Sequence, residues 1–266
     1  MRAGWSGRSS HCLNWLGPVT DTARPDGYAG LASTLRQLLG IELSRAQLEA
    51  FDYYGAELRR WNQRHNLTAI TVPVEIEIKH FVDSLTCLLA IDKGGRLVDV
   101  GSGAGFPGIP LKIVRPMLQV VLIEATGKKV EFCQHVMEGL GLTGIDVIHG
   151  RAEDEAHNPA HRGTYRWAVA RAVAPMAVLA EYMLPFLQVG GQMIAMKGET
   201  GPGEAQQAEP AIKLLGGRMR RLIPTELPRV AETRHLIVVD KLSETPQAYP
   251  RRPGIPAKRP LPADRG

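Results

Sequence analysis

The residues best suited to chemistry lie between Arg96 and Gly108, which read RLVDVGSGAGFPG. Leu97, Val98 and Val100 are apolar and partly β-branched, which predicts a short buried strand. Asp99 interrupts that strand near its end, and glycines follow at Gly101, Gly103, Gly105 and Gly108. Glycine accepts positive φ and lets a ligand approach the backbone. A strand, a glycine turn and a helix start therefore predict a ligand crevice at the carboxyl end of a sheet. Gly103, Gly105 and Gly108 satisfy GxGxxG, which would rest a pyrophosphate on the next helix N-terminus. Asp99 favours a different occupant. A carboxylate at the strand tip repels a pyrophosphate but can meet a cationic ligand such as S-adenosylmethionine, directly or through water. A tight turn without any ligand is the plainer alternative.

A second acid follows the same logic. Gln119 to Glu124 reads QVVLIE, a further buried strand ending in a carboxylate 19 residues after Gly105. An acid at about that distance commonly holds the ribose hydroxyls of an adenosine ligand. This supports any adenosine cofactor and does not separate NAD from S-adenosylmethionine. Arg151, Ala152 and Glu153 follow the third expected strand, where an adenine edge would lie. Lys128, Arg151, Arg171 and Lys197 all fall near strand tips and are expected on one rim with Glu124 and Glu153. Four cations there fit an anionic substrate; the alternative is ion pairing with neighbouring acids. His80 and Asp83, spaced i, i+3, are expected to share a helix face, with a structural role for His80 preferred over a pocket role.

The reaction can be narrowed by what is missing. Methylation of an exocyclic amine usually comes with an Asn/Asp-Pro-Pro-aromatic loop, and no such tetrapeptide occurs. Carbon methylation of cytosine needs a nucleophilic cysteine, yet Cys87 and Cys133 both fall inside helical patterns. A guanine N7 carries an in-plane lone pair and needs no deprotonation. Basic orienting residues without an obvious base suit it.

Positioning these residues requires alternating strands and helices. Strands are expected at 97–100, 119–124, 145–149, 167–173, 191–197 and 235–240, with helices at 107–115, 127–140, 175–187 and 203–216. That alternation predicts an α/β fold with a doubly wound, mostly parallel, seven-stranded sheet. The stretch 219–227 is the weakest strand candidate because of Pro224. Upstream, Leu31 to Leu39 has helical spacing, and Ser44 caps a second helix with Leu48, Phe51, Tyr54, Leu58 and Trp61 on its apolar face. The expected divisions are a disordered extension at 1–28, a helical segment at 29–92, the cofactor-binding domain at 93–243 and a basic tail at 244–266. The tail, YPRRPGIPAKRPL from Tyr249 to Leu261, has four prolines. It is expected to be non-helical, an extended cationic strap for a phosphate backbone, docked through Tyr249, Ile255 and Leu261.

The composition sets limits. The 266 residues carry a net charge of +5. Residues 1–24 contribute +2 and residues 249–266 contribute +4, so the body is close to neutral and its ends are basic. Cys12, Cys87 and Cys133 are isolated, which argues against a disulfide framework and against a zinc site. A reducing, cytoplasmic location and a monomer are expected. No apolar run long enough to span a membrane and no secretory core are present.

Taken in order, WNQRHNLT, HFVDSL, DVGSGAGFPGIPLKI, KKVEF, RAE, ARAVAPM, MKG and the tail resemble the bacterial small-subunit ribosomal RNA methyltransferase G family over roughly 31–261. The resemblance implies a class I methyltransferase (Rossmann-like) fold, S-adenosylmethionine as cofactor, and N7 methylation of one guanine in the decoding region of 16S ribosomal RNA. Matched residue by residue, it implies cofactor contacts at Gly101, Phe106, Ala152, Glu153 and Arg171, with Glu124 at the ribose. Asp99, Gly103 and Gly105 complete that set from the glycine motif. Lys128, Arg151, Arg171 and Lys197 match basic positions for RNA or guanine orientation. Glu124-Ala125 replaces the more usual Asp-Ser, and residues 1–28 lie outside the match. Two other functions remain open on sequence: a methyltransferase for a small anionic molecule, and an RNA-binding ribosome assembly factor with a vestigial cofactor pocket.

Overall fold

The apolar runs after Arg96 assemble into a seven-stranded mixed sheet in the computed structural model, which describes residues 29–92 and 94–261. The expected N-terminal extension, including Cys12, lies outside the described residues. The strands are β1 (Gly95–Val100), β2 (Leu118–Glu124), β3 (Ile145–His149), β4 (Tyr165–Arg171), β5 (Leu187–Lys197), β6 (Gly217–Thr225) and β7 (Arg234–Lys241). Their order is β3-β2-β1-β4-β5-β7-β6. The pairs from β3 to β5 are parallel, whereas β7 runs antiparallel to both β5 and β6. The chain leaves β1 toward β2 on one side and returns through β4 on the other. That reversal opens a crevice at the carboxyl ends of β1 and β4.

Both faces of the sheet are covered. Leu97 of β1 joins one core with Phe51, Tyr54, Phe81 and Phe132. Val98 and Val100 point the other way, into a core with Met183, Phe186 and Leu261. This two-residue alternation, with apolar groups on both faces, is what a central strand requires.

The helices before the sheet are α1 (Ala29–Leu39) and α2 (Arg45–His65). Ser44 and Gln47 form a reciprocal capping box at the start of α2, and Asn66 ends it in the left-handed region. Next come α3 (Pro73–Ile76), a π-helical turn over Glu77–Val82, and α4 (Asp83–Leu85). Within the sheet region lie α5 (Gly108–Val114), α6 (Gly127–Gly139), α7 (Ala152–Glu155), α8 (Met176–Met183), α9 (Gly201–Gln207) and α10 (Glu209–Leu214); α11 (Ile255–Lys258) closes the chain.

Proline explains where the elements depart from expectation. The helix expected at 175–187 stops at Met183, because Pro185 falls in a 3₁₀ turn that leads directly into β5. The helix expected at 203–216 divides at Ala208, and Pro210 sits in the first turn of α10. Pro224 is accommodated because β6 is the edge strand, with its register shifted between Met219 and Arg221. The tail corrects the strongest of these expectations. It does contain a helical turn, α11, entered through Gly254 at φ +79, with Pro256 where a missing N–H is harmless. Tyr249 and Leu261 dock against the sheet as expected, while Ile255 stays exposed. Arg162 reinforces the docking by donating to the carbonyls of Ala156, Tyr249, Thr245 and Pro246. Among the described residues no helix is long and apolar enough to cross a membrane.

Candidate active site

The glycine loop is held by β2. Gly101 N and Ser102 N both donate to Ile123 O, at 2.9 and 3.1 Å. Gly103 N donates to Glu124 Oε2 and Thr126 N to Glu124 Oε1, each at 2.8 Å. Glu124 therefore bridges the tips of β1 and β2. Gly101 and Gly103 stand at φ +70 and +59, and a Cβ on Gly103 would meet no atom within 4 Å. That open side is the approach the sequence pattern anticipates. Gly105 and Gly108 serve the protein's own packing instead. A Cβ on Gly108 would lie 2.3 Å from Leu122 Cδ2.

Asp99, expected to meet the ligand directly or through water, is not among the residues that line the cleft. It points to the Leu97 side of β1 and is fully buried, and its Oδ2 accepts from Gly108 N at 2.7 Å. Its Oδ1 has no partner. Burial pushes the carboxyl up to about 7, against the pull of the Gly108 N–H. This folded value lies above the unfolded one, so the contribution to stability is full at low pH. It is lost as pH rises toward 7, at roughly 1.4 kcal/mol per pH unit. Asp99→Asn keeps an acceptor for Gly108 and abolishes that titration. Its Tm relative to wild type is expected to rise steadily between pH 4 and pH 7; parallel Tm curves would remove Asp99 as the source.

A cleft of about 350 Å³ opens at the strand tips. Gly101, Gly103, Glu124, Arg151, Ala152 and Glu153 line it. Gly105, Phe106, Lys128, Arg171 and Lys197 do not. Along α6, Lys129 turns into the cleft and Lys128 stays exposed. Sequence reasoning missed Tyr182 of α8 and Ala257 of α11, which complete the wall. The volume is in the range of small-molecule sites. Glu124 keeps lone pairs for ribose hydroxyls beside the open face of Gly103, so these residues fit an adenosine cofactor.

Phe106 and Arg171 form a brace behind the loop. His80 stacks on the Phe106 ring at 4.4 Å between centroids, and the Arg171 guanidinium lies 5.0 Å from the same ring. Arg171 Nη1 donates to Asp83 Oδ2 at 3.1 Å and to Lys79 O at 3.0 Å, while Nη2 approaches His80 Nδ1 at 3.1 Å. Burial, and secondarily the Arg171 charge, lower the His80 pKa to about 3. A neutral ring accepts at Nδ1 from Arg171 and donates from Nε2 to Thr68 Oγ1, 2.9 Å away. His80 is thus held by Thr68 and Arg171, and Asp83, the partner its i, i+3 spacing suggests, binds Arg171 instead. Tyr54 supports the loop from below, donating to Ala104 O and stacking on Phe106.

The expected rim of four cations is divided. Arg171 is paired with Asp83, and Lys197 Nζ lies 2.6 Å from Glu204 Oε2 and 2.7 Å from Ala174 O. Arg151 and Lys128 remain exposed. Burial raises both thiols, Cys87 and Cys133, well above the usual range, so neither is an activated nucleophile. Among the described residues no group of three or more His, Cys, Asp or Glu could hold a metal.

The strand order, the reversed last strand, the glycine loop after β1 and the acid at the tip of β2 define an α/β class I methyltransferase. More narrowly, the chain belongs to the rRNA small subunit methyltransferase G family, whose GidB model matches residues 47–237. Ribosomal RNA small subunit methyltransferase G of Pelotomaculum thermopropionicum is 48% identical over 236 residues, 87% of this chain and 99% of that protein. The namesake from Dehalococcoides mccartyi is 50% identical over 224 residues, covering 84% and 95%. That of Roseiflexus castenholzii is 49% identical over 223 residues, again covering 84% and 95%. Among solved structures, TrmN from Thermus thermophilus is similar over 60% of this chain and 48% of that one, at 18% identity and a TM-score of 0.47.

Proposed function

We propose that this protein methylates N7 of one guanine in the decoding region of 16S ribosomal RNA, using S-adenosylmethionine. Its setting is the cytoplasm, and it acts as a monomer on the small ribosomal subunit. The observation that carries this reading is the cleft at the β1 and β4 tips, with Glu124 fixed beside the open face of Gly103 in a chain of the methyltransferase G family.

Bound S-adenosylmethionine supplies an electrophilic methyl group that a guanine N7 lone pair can displace in line, with no proton to remove first. The chain's task is therefore positioning and desolvation. Glu124 would receive the ribose hydroxyls, and Ala152 and Glu153 would face the adenine. Arg151 and Lys128, exposed at the rim, would attract RNA phosphates. Arg171 and Lys197 hold the tips of β4 and β5 through their ion pairs, which keeps the guanine side of the cleft in shape.

The test uses 30S particles from a strain lacking this gene, incubated with the protein and S-adenosylmethionine and then mapped for 7-methylguanine by mass spectrometry. One new 7-methylguanine in the decoding region is expected. No modification, with S-adenosylhomocysteine binding intact, would replace this reading by a methyltransferase for a small anionic molecule.

A further inference from the structure

One of the tail's cations is taken up inside the fold, while Arg252, Lys258 and Arg259 stay exposed. Glu181, on α8, is fully buried. Its Oε1 accepts from both Arg251 N and Arg251 Nε at 2.8 Å, and its Oε2 accepts from Arg251 Nη2 at 2.6 Å. One residue thus satisfies the whole carboxylate with three hydrogen bonds. A buried charge held this way is a fixed anchor, because removing its partner leaves it unpaired. His157 Nε2 adds a contact with Pro250 O at 2.7 Å.

Three residues beyond the anchor, Gly254 N donates to Glu153 Oε1 at 2.9 Å. Glu153 is buried and lines the cleft, and α11 then sets Ala257 into the same wall. Tyr182 completes this corner; burial and the nearby Glu153 and Glu181 push its phenol up to about 12, so it stays protonated. A glutamate has three rotatable bonds, and loss of an ordering contact frees them. With Gly254 N on Oε1 and the Tyr182 hydroxyl also hydrogen-bonded to Glu153, the carboxylate is fixed in the cleft wall and its remaining lone pairs can accept from an amine. The acidic partner is chemically suited to the exocyclic amino group of adenine and hostile to a carbonyl in the same place.

We propose that the C-terminal tail is a working part of the cofactor cleft, with Arg251 the positioning residue that lets Gly254 orient Glu153 toward the adenine amino edge. This rests on the S-adenosylmethionine reading above. It gives Arg251 and Gly254 a role in cofactor recognition, beside the exposed Arg252, Lys258 and Arg259 that stay available to RNA phosphates.

The experiment compares full-length wild type, Arg251→Ala and Arg251→Lys by calorimetric titration with S-adenosylhomocysteine and with its 6-oxo analogue, S-inosylhomocysteine. Wild type is expected to prefer the amino compound by about tenfold or more, since a site built around an N–H donor rejects an analogue lacking it. Arg251→Ala should weaken S-adenosylhomocysteine by about tenfold and bring the preference close to one. Arg251→Lys keeps the charge without the planar fork and should fall between them. Binding to 30S particles at saturating S-adenosylhomocysteine should stay within about twofold of wild type in each variant. Equal weakening of both nucleosides would overturn the proposal, because mere loosening of the wall does not change selectivity. Lost 30S binding with unchanged nucleoside affinities would also overturn it and restore the strap. A wild-type chain that binds neither nucleoside removes the cofactor reading and this inference together, a result separable from the other two.

Discussion

Gly101→Val is expected to lower affinity for S-adenosylhomocysteine by about a hundredfold or more, equivalent to roughly 3 kcal/mol. Two effects act together. Gly101 stands at φ +70, where an L side chain is strained by about 1–2 kcal/mol and a β-branched one by more. Its Cβ would lie 2.8 Å from Val173 Cγ2, and the valine methyls must then go toward the cleft or push the β4 tip aside. Relaxation is not free on the other side either, because Gly101 N is tied to Ile123 O of β2. Strain and lost space both fall on the cleft wall. The chain should still unfold cooperatively, since the cores on either face of the sheet lie below the loop. Calorimetric titration decides: affinity within a few-fold of wild type would show that the glycine loop does not shape the ligand site.

How far the sequence carried depends on what each feature demands. The strand beginning near Leu97 and the loop after it were legible because apolar alternation and clustered glycines have few other uses. The acid at position 124 was legible for the same reason, as a charge at the end of an apolar strand. The direction of Asp99 was not. Its place on the strand was clear, but the two faces of β1 are both buried, and composition does not say which face turns away from the cleft. Lys128 and Lys129 illustrate a related limit: adjacent helical positions differ by about 100° in direction, and only packing against Phe132 and Cys133 settles which one turns inward. For Arg171, Lys197 and Arg251 an anionic partner outside the chain is the first reading, with ion pairing the alternative at the rim, because their partners are distant along the chain or on separate elements. Asp83 is 88 residues from Arg171, and Glu181 is 70 from Arg251. The tail misled for a local reason. Four prolines forbid a long helix, yet one turn started by Gly254 with Pro256 near its beginning breaks no rule.

Arg171→Ala should therefore be both inactive and strongly destabilised. Arg171 and Asp83 are only 15% and 11% exposed, and removing one member of such a pair leaves the other charge without compensation. The expected loss is about 3–5 kcal/mol. The His80 Nδ1 acceptor and the Lys79 carbonyl lose their donor as well, and the cation over the Phe106 ring disappears. Inactivity of this variant alone would say little about chemistry, because a loosened Phe106 unsettles the glycine loop. The double variant Asp83→Leu with Arg171→Leu separates the two roles. Replacing a buried pair by apolar groups of similar volume is often neutral or stabilising, so its Tm should recover most of the loss, short of wild type by the cost of leaving Lys79 O and His80 Nδ1 without a donor. Its transfer to 30S particles should stay at least about a hundredfold below wild type, roughly 3 kcal/mol in the barrier, if Arg171 also acts at the guanine side of the cleft. Recovered turnover in the stable double variant would confine Arg171 to bracing Phe106 and leave guanine orientation to Arg151 and the exposed rim.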